Sequence, residues 1–515
     1  MTPVDETQEE RPFDGDAAGK RMLLFLARVI VALGLLYECY NYIWYGLLLI
    51  VLPPPWRQIR ASILGMDKPS LVMRGIALAA ALTAAALYPD AGLLGLAIFC
   101  AGALIVGELR TFRHFLTGGK FMLKESPGRL FLRIRSGAVL LLAVLLTGAG
   151  IHAKLIVPRV GGFYVWDDAI PAPGTLLRAE EIMADGVRAW RLLYSTTRDD
   201  NTPDVASAML FAPEGGKDMP LVAWAHGTIG IVPHAAPSVA LTLDRQMAAI
   251  PAFDAAVANG WAVVAPDYAG LGAGGRTHGY LIGTDEARSV LDAVRAAKTL
   301  EGLSLAAETV VWGHSQGGHA ALWTGILAPS YAPELRLSGI AAAAPATDLP
   351  ALLWASKTHF VGNALGAFAL YAYEAAYPDV RAAELVKWQL RPVVWSIAHR
   401  SVEEPATLVS VVTAMAMRGY IYADLSDLRD SAYSARLAEN IPGGLIAVPL
   451  FIAQGADDPL ITRVIQDAFV TRQRESGQML AYTVYPGDHM GVLDPANGFP
   501  ADLAAWTKDV FTKSK

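Results

Sequence analysis

The spacing of apolar positions divides the chain near residue 158. Before it lie four apolar stretches, 22–52, 71–88, 91–107 and 136–157, each about long enough to cross a bilayer as a helix. The first ends at Pro53-Pro54-Pro55, which cannot continue a helix, and its length allows tilt or a kink. No small-residue cleavage site follows it, so it does not read as a signal peptide. After residue 158 the apolar runs shorten and alternate with helical patterns. Residues 187–197 and 205–212 predict an antiparallel strand pair. Further strands are predicted at 220–225, 261–265, 309–312, 337–344, 448–453 and 479–485, with helices near 246–259, 284–300, 316–327, 463–475 and 500–513. Strands alternating with helices predict an α/β class with a doubly wound, mostly parallel sheet. Its site should lie at the carboxyl ends of the strands. Over 349–444 the alternation stops and a helical, aromatic-rich pattern predicts a cap inserted above that site.

Composition agrees with an all-α transmembrane region in front of the sheet domain. The chain is 53% hydrophobic and 17% charged, with a mean hydropathy of +0.35, more apolar than an ordinary soluble enzyme. Residues 1–21 hold six carboxylates against Arg11, Lys20 and Arg21 and read as a disordered acidic tail. Arg57, Arg60, Lys68 and Arg74 lie around the first interval between spans, against Asp67. Arg110, Arg113, Lys120, Lys124, Arg129, Arg133 and Arg135 lie in the third, against Glu108 and Glu125. Both basic loops are expected in the cytoplasm, which places residues 158–515 on the non-cytoplasmic side of a plasma or inner membrane. A net charge of −6 gives no sign of a nucleic-acid partner. Cys39 and Cys100 both lie in apolar stretches and form no disulfide framework, zinc site or redox pair on paper.

The chemistry-bearing pattern is Gly313-His314-Ser315-Gln316-Gly317. A short β-branched run precedes it and a helix start follows. Strand, tight turn and helix are the context of a nucleophile elbow with Ser315 at its tip. A serine hydroxyl needs a base, and the base needs an orienting carboxylate, in the chain order Ser, Asp/Glu, His. Beyond the cap stands His489, in a Gly-rich loop after a strand; His359 and His399 fall within the cap. Asp457 and Asp458 follow the preceding strand. Asp458, third after Gly455, is expected as the acid and Asp457 as the cap of the following turn, with Asp488 as a third choice. An oxyanion needs two N–H donors. Gln316 supplies one, and Thr228, after Gly227, supplies the other, its hydroxyl being available to help. His226, His314 and His319 read as structural. Trp354, Phe360, Phe368 and Tyr371 are expected to line an acyl channel, or else to form the cap's own core. No metal-ligand spacing or phosphate loop stands out, and no cofactor is expected. Gly270–Gly274 lacks the full dinucleotide fingerprint.

Several stretches together resemble the secretory lipase family of α/β-hydrolases, over roughly residues 175–515. They are Ala225-His-Gly-Thr-Ile-Gly230 with Ala236-Pro-Ser238, Pro266-Asp-Tyr-Ala-Gly-Leu-Gly272, Gly279-Tyr-Leu281, the elbow, Ala344-Pro-Ala-Thr-Asp-Leu349 and Gln454-Gly-x-x-Asp458. The resemblance implies an α/β-hydrolase fold, an extracytoplasmic lipase or esterase, a helical lid between the sixth and seventh strands, and Ser315, Asp458 and His489 as the triad. Ala235 stands where the family often has a cysteine, which removes a disulfide. The polytopic region is no part of the family pattern. The leading expectation is hydrolysis of lipid or other apolar carboxylic esters through an acyl-enzyme held at a membrane. Acyl transfer by the same intermediate, and a non-catalytic ligand-binding or signalling module, are the alternatives.

Overall fold

A computed structural model describes residues 158–184, 186–356, 360–387, 391–404 and 428–514. The four apolar stretches and the acidic tail lie outside the described residues, as does His359. Among the described residues no helix is long and apolar enough to cross a membrane.

Nine strands form one sheet: β1 (Leu176–Ile182), β2 (Val187–Thr197), β3 (Pro203–Pro213), β4 (Met219–Ala225), β5 (Ala262–Pro266), β6 (Leu305–His314), β7 (Arg336–Ala343), β8 (Leu450–Gly455) and β9 (Leu480–Tyr485). Their spatial order is β1-β2-β3-β5-β4-β6-β7-β8-β9. The β1–β2, β2–β3 and β3–β5 pairs are antiparallel and the rest parallel. This is the α/β-hydrolase sheet with one further antiparallel strand, β1, at its edge. The hydropathy pattern did not predict β1. Ala179, Glu180 and Glu181 are exposed in succession, so neither face of this stretch is apolar, and an edge strand needs no apolar alternation to pair.

The helices used below are α1 (Leu243–Ala248), α2 (Phe253–Ala258), α3 (Gly283–Lys298), α4 (Gln316–Tyr331), α5 (Leu349–Ser356), α6 (Phe360–Ala376), α7 (Arg391–Ala398), α8 (Ala432–Glu439), α9 (Arg463–Glu475) and α10 (Phe499–Ser514). Central strands are buried on both sides, which is why they read as near-continuous apolar runs. Alternate residues still sort by face. On β4, Leu221, Ala223 and Ala225 join a core with α3, α4 and α9, while Val222 and Trp224 join one with α2 and α10. The single helix predicted at 246–259 is two short ones. Pro251 and a left-handed Ala252, φ 56°, interrupt it. Between β7 and β8 every described element longer than one turn is helical, from α5 to α8. The apolar-to-polar transitions at the strand ends place residues 226–230, 315, 456–461 and 486–491 together at the carboxyl edge of the sheet.

Candidate active site

β6 ends at His314 and α4 starts at Gln316. Ser315 alone makes the turn, with φ 58° and ψ −118°. A non-glycine residue there costs on the order of 1–3 kcal/mol, held by its surroundings. The Ser315 N–H donates to the Ala343 carbonyl at 2.9 Å. The flanking glycines are required by close approach. A Cβ on Gly313 would lie 1.9 Å from the Gly317 carbonyl oxygen, and one on Gly317 would lie 1.9 Å from that of Ala225.

His489 follows β9 in a loop shaped by Asp488, whose Oδ1 accepts from the N–H groups of Met490 and Gly491 at 3.2 and 2.7 Å. Its Nε2 is 2.8 Å from Ser315 Oγ and its Nδ1 2.7 Å from Asp458 Oδ2. Both partners of the imidazole–carboxylate contact are buried. Asp458 Oδ1 accepts from the N–H groups of Leu460 and Ile461 at 2.8 and 2.9 Å. This corrects the division of labour expected for the acidic pair. Asp458 itself caps the turn while facing His489, because a carboxylate has lone pairs enough for both. Asp457 is exposed. The structure therefore brings Ser315, His489 and Asp458 together and leaves Asp457 and Asp488 outside the constellation.

Gln316 heads α4, so its N–H is one of the helix's unpaired donors beside Ser315. The loop after β4 crosses above it: a Cβ on Gly227 would lie 3.8 Å from Ser315 Cβ. Thr228 follows, half-buried. His226 is inward and structural. Burial lowers its pKa to about 4. The neutral ring donates from Nδ1 to the Gly227 carbonyl at 2.7 Å. Tyr268 Oη donates to the His226 carbonyl at 3.0 Å. The Ala236-Pro-Ser238 and Pro266-Asp-Tyr268 motifs meet nearby. Asp267 accepts from Ser207 Oγ at 2.6 Å and from the Ser238 N–H at 2.9 Å and its Oγ at 2.5 Å. Burial pushes the Asp267 carboxyl up to about 6, against those hydrogen bonds.

Behind the elbow lies a polar network that no motif marked. Gln316 Nε2 donates to Glu286 Oε1 at 2.8 Å and to His278 Nε2 at 2.9 Å. Glu286 also accepts from the Leu281 N–H at 2.9 Å, and its Oε2 meets His319 Nδ1 at 2.9 Å. His319 Nε2 donates to the carbonyl of Asn440, just past α8, at 2.8 Å. Glu286 belongs to the first turn of α3, where a carboxylate suits the helix dipole, so its spacing looked ordinary. The cap also reaches the loop after β4. The Val402 N–H donates to the Ile229 carbonyl at 3.0 Å, and His234 pairs with Glu404.

The described cap aromatics have different neighbours. Trp354 lines a 240 Å³ cavity with Pro350, Ala351, Leu353 and Leu428, and Arg429 lies 4.6 Å over its ring. Phe368 is buried in a T-shaped contact with Tyr280, 6.1 Å between centroids. Tyr371 packs on His399 at 5.8 Å. Phe360 opens α6, and its side chain lies outside the described residues. Among the described residues no group of three His, Cys, Asp or Glu could hold a metal ion.

The family model for secretory lipases matches residues 235–504, just over half of the chain. The chain belongs to the secretory lipase family. It is 31% identical over 198 residues to a probable inactive lipase of Mycobacterium tuberculosis, covering 34% of this chain and 43% of that protein. It is 30% identical over 227 residues to a secreted triacylglycerol lipase of Malassezia globosa, covering 41% and 48%. The matched stretches thus span about half the length of these curated relatives. Among solved structures, Candida antarctica lipase A superposes with a TM-score of 0.57 at 19% identity, over 69% of this chain and 86% of that one. That likeness is one of fold.

Proposed function

We propose that this secretory-lipase family member is a serine hydrolase of carboxylic esters with apolar acyl chains. The observation that carries the reading is the unbroken relay from Ser315 Oγ through the His489 ring to buried Asp458 at a strained elbow. In the proposed cycle His489 Nε2 takes the Ser315 proton as Oγ attacks the ester carbonyl. The carbonyl oxygen becomes an oxyanion, held by the Gln316 and Thr228 N–H groups. His489 then returns the proton to the leaving alkoxide, giving an alcohol and an acyl-Ser315. Water repeats the sequence and releases the acid. Asp458 accepts the Nδ1–H throughout and stabilises the imidazolium. The presence of all three residues in contact favours a working enzyme over an inactive relative.

We infer further that the apolar stretches 22–52, 71–88, 91–107 and 136–157 anchor the catalytic domain, residues 158–515, to the non-cytoplasmic face of a membrane, with the cap at 349–444 toward a lipid substrate. The hydropathy of those stretches and the basic loops between them support this placement. The deciding experiment compares full-length wild type with Ser315→Ala. Wild type should hydrolyse a panel of p-nitrophenyl esters and take up a fluorophosphonate probe, and Ser315→Ala should do neither. Labelling that persists in Ser315→Ala would assign the nucleophile elsewhere.

A further inference from the structure

Thr228 Oγ1 and Tyr280 Oη lie 2.8 Å apart, a contact in which either oxygen could donate. Proton accounting decides the direction. Tyr280 is 2% exposed, and this is the one hydrogen bond its hydroxyl makes among the described residues. Were Thr228 the donor, the phenolic proton would be buried without an acceptor, the costlier arrangement. A phenol is also the stronger acid of the two hydroxyls. Burial drives the Tyr280 pKa up, so the proton stays on the ring oxygen at any working pH. Tyr280 therefore donates to Thr228, and the Thr228 proton is left over. Among the described residues that proton has no acceptor either. Thr228 is the less buried of the two and directly follows Gly227, the residue lying over Ser315.

We propose that the Thr228 hydroxyl is a third donor to the oxyanion, beside the two backbone N–H groups, and that Tyr280 is the positioning residue that aims it. The inference rests on the ester-hydrolase reading above. Thr228 is half-buried, so solvent can accept from its hydroxyl until an oxyanion forms beside it. A ground-state carbonyl oxygen carries partial charge, and the tetrahedral intermediate carries a full one, so the hydroxyl stabilises the transition state selectively. Tyr280 is itself fixed. Its N–H donates to the His278 carbonyl at 2.9 Å, and Phe368 from the cap packs on its ring. The β-branched threonine has little rotamer freedom of its own, and the bond from Tyr280 selects among what remains.

The test uses full-length protein and a short-chain p-nitrophenyl ester. Thr228→Val keeps the backbone donor and removes the hydroxyl. It should lower kcat by about 10²-fold with KM nearly unchanged, the scale of one lost oxyanion donor. Thr228→Ser should retain most of the wild-type kcat. Tyr280→Phe should lower kcat about tenfold, the value of one hydrogen bond. In a Thr228→Val background it should have no further effect, because Tyr280 acts only through the hydroxyl. A merely structural tyrosine would instead give additive losses and a shifted KM. Affinity for a trifluoromethyl-ketone analogue should fall in step with kcat. The proposal is overturned if Thr228→Val retains wild-type kcat, or if the Tyr280→Phe loss persists without the hydroxyl. Should Tyr280→Phe fail to fold, the Thr228→Ser and Thr228→Val pair still decides. Wild type that neither turns over esters nor labels overturns the function reading and this inference together. Active wild type with indifferent Thr228 variants overturns this inference alone.

Discussion

Asp458→Asn is the sharpest perturbation, because the structure dictates how the new side chain must sit. Asp458 Oδ1 accepts two backbone N–H groups, from Leu460 and Ile461. An asparagine must turn its carbonyl oxygen toward those donors and its NH₂ toward His489. That NH₂ donates to Nδ1, so Nδ1 becomes the acceptor and the ring proton moves to Nε2. Nε2 then faces Ser315 Oγ as a donor and has no lone pair to receive the serine proton. The fold keeps its turn while the base is held in the wrong tautomer. Loss of the orienting carboxylate costs about 10⁴ in kcat, or roughly 5 kcal/mol of transition-state stabilisation. Exposed Asp457→Asn should change kcat by less than about threefold, as surface substitutions usually change free energies by no more than about 0.5 kcal/mol. The assay is steady-state hydrolysis of a p-nitrophenyl ester with thermal unfolding measured in parallel. Asp458→Asn retaining a tenth of wild-type kcat, or Asp457→Asn losing as much, would refute the tautomer argument.

Three other outcomes follow from the site and its surroundings. Phe368→Ala, next to Tyr280, should lower the ratio of long-chain to short-chain ester activity, since each buried methylene is worth about 0.8 kcal/mol. Trp354→Ala should do the same only if the cavity it lines holds the acyl chain; equal ratios in both variants would leave these rings as cap core. A membrane-impermeant protease added to cells with a permeabilised outer membrane should digest residues 160–515 and spare 108–135, and the reverse pattern would invert the proposed topology. Asp267 should make stability fall as pH rises. Its carboxyl moves from 3.8 to about 6 in the fold, chiefly through burial, so its stabilising contribution is full below about pH 4 and is lost as pH climbs through about 6. That difference amounts to about 3 kcal/mol. Across pH 4 to 7 the urea midpoint of wild type should fall relative to that of Asp267→Asn, which has no carboxyl to ionise, and parallel curves would remove Asp267 as the cause.

What the chain revealed by itself follows from how far apart the interacting groups lie. Central strands such as β4, β6 and β8 were legible because burial on both faces demands continuous apolar runs. The elbow was legible because its glycines sit within two residues of Ser315 and are required by contacts a Cβ would destroy. The α1–α2 break was hidden because the apolar spacing continues across Pro251, and only the backbone shows Ala252 left-handed. β1 was hidden by its solvated face. The polar network was hidden for a different reason. Glu286, Gln316, His319 and Asn440 are ordinary residues in their own segments, and only the packing of α3, α4 and α8 brings them to one place. The double duty of Asp458 was equally invisible, since sequence shows two adjacent acids and not their rotamers.

Five histidines lie in the segments that meet around the elbow, and the bonds of their ring nitrogens favour His489 as the proposed base. His226 donates to its own loop, and burial keeps it neutral. His278 meets the Ala269 carbonyl with Nδ1 and receives Gln316 at Nε2. His319 has both nitrogens engaged, by Glu286 and by the Asn440 carbonyl. His314 donates from Nε2 to the His489 carbonyl at 2.9 Å, and burial followed by the charge of His489 lowers its pKa to about 3. In the proposed cycle it therefore stays neutral when His489 becomes an imidazolium, and it braces the His489 backbone without competing for the proton. His489 alone has one nitrogen on a carboxylate and the other on a hydroxyl. Of the four neighbours, His314 bonds directly to His489, while the ring nitrogens of the other three are held by other groups.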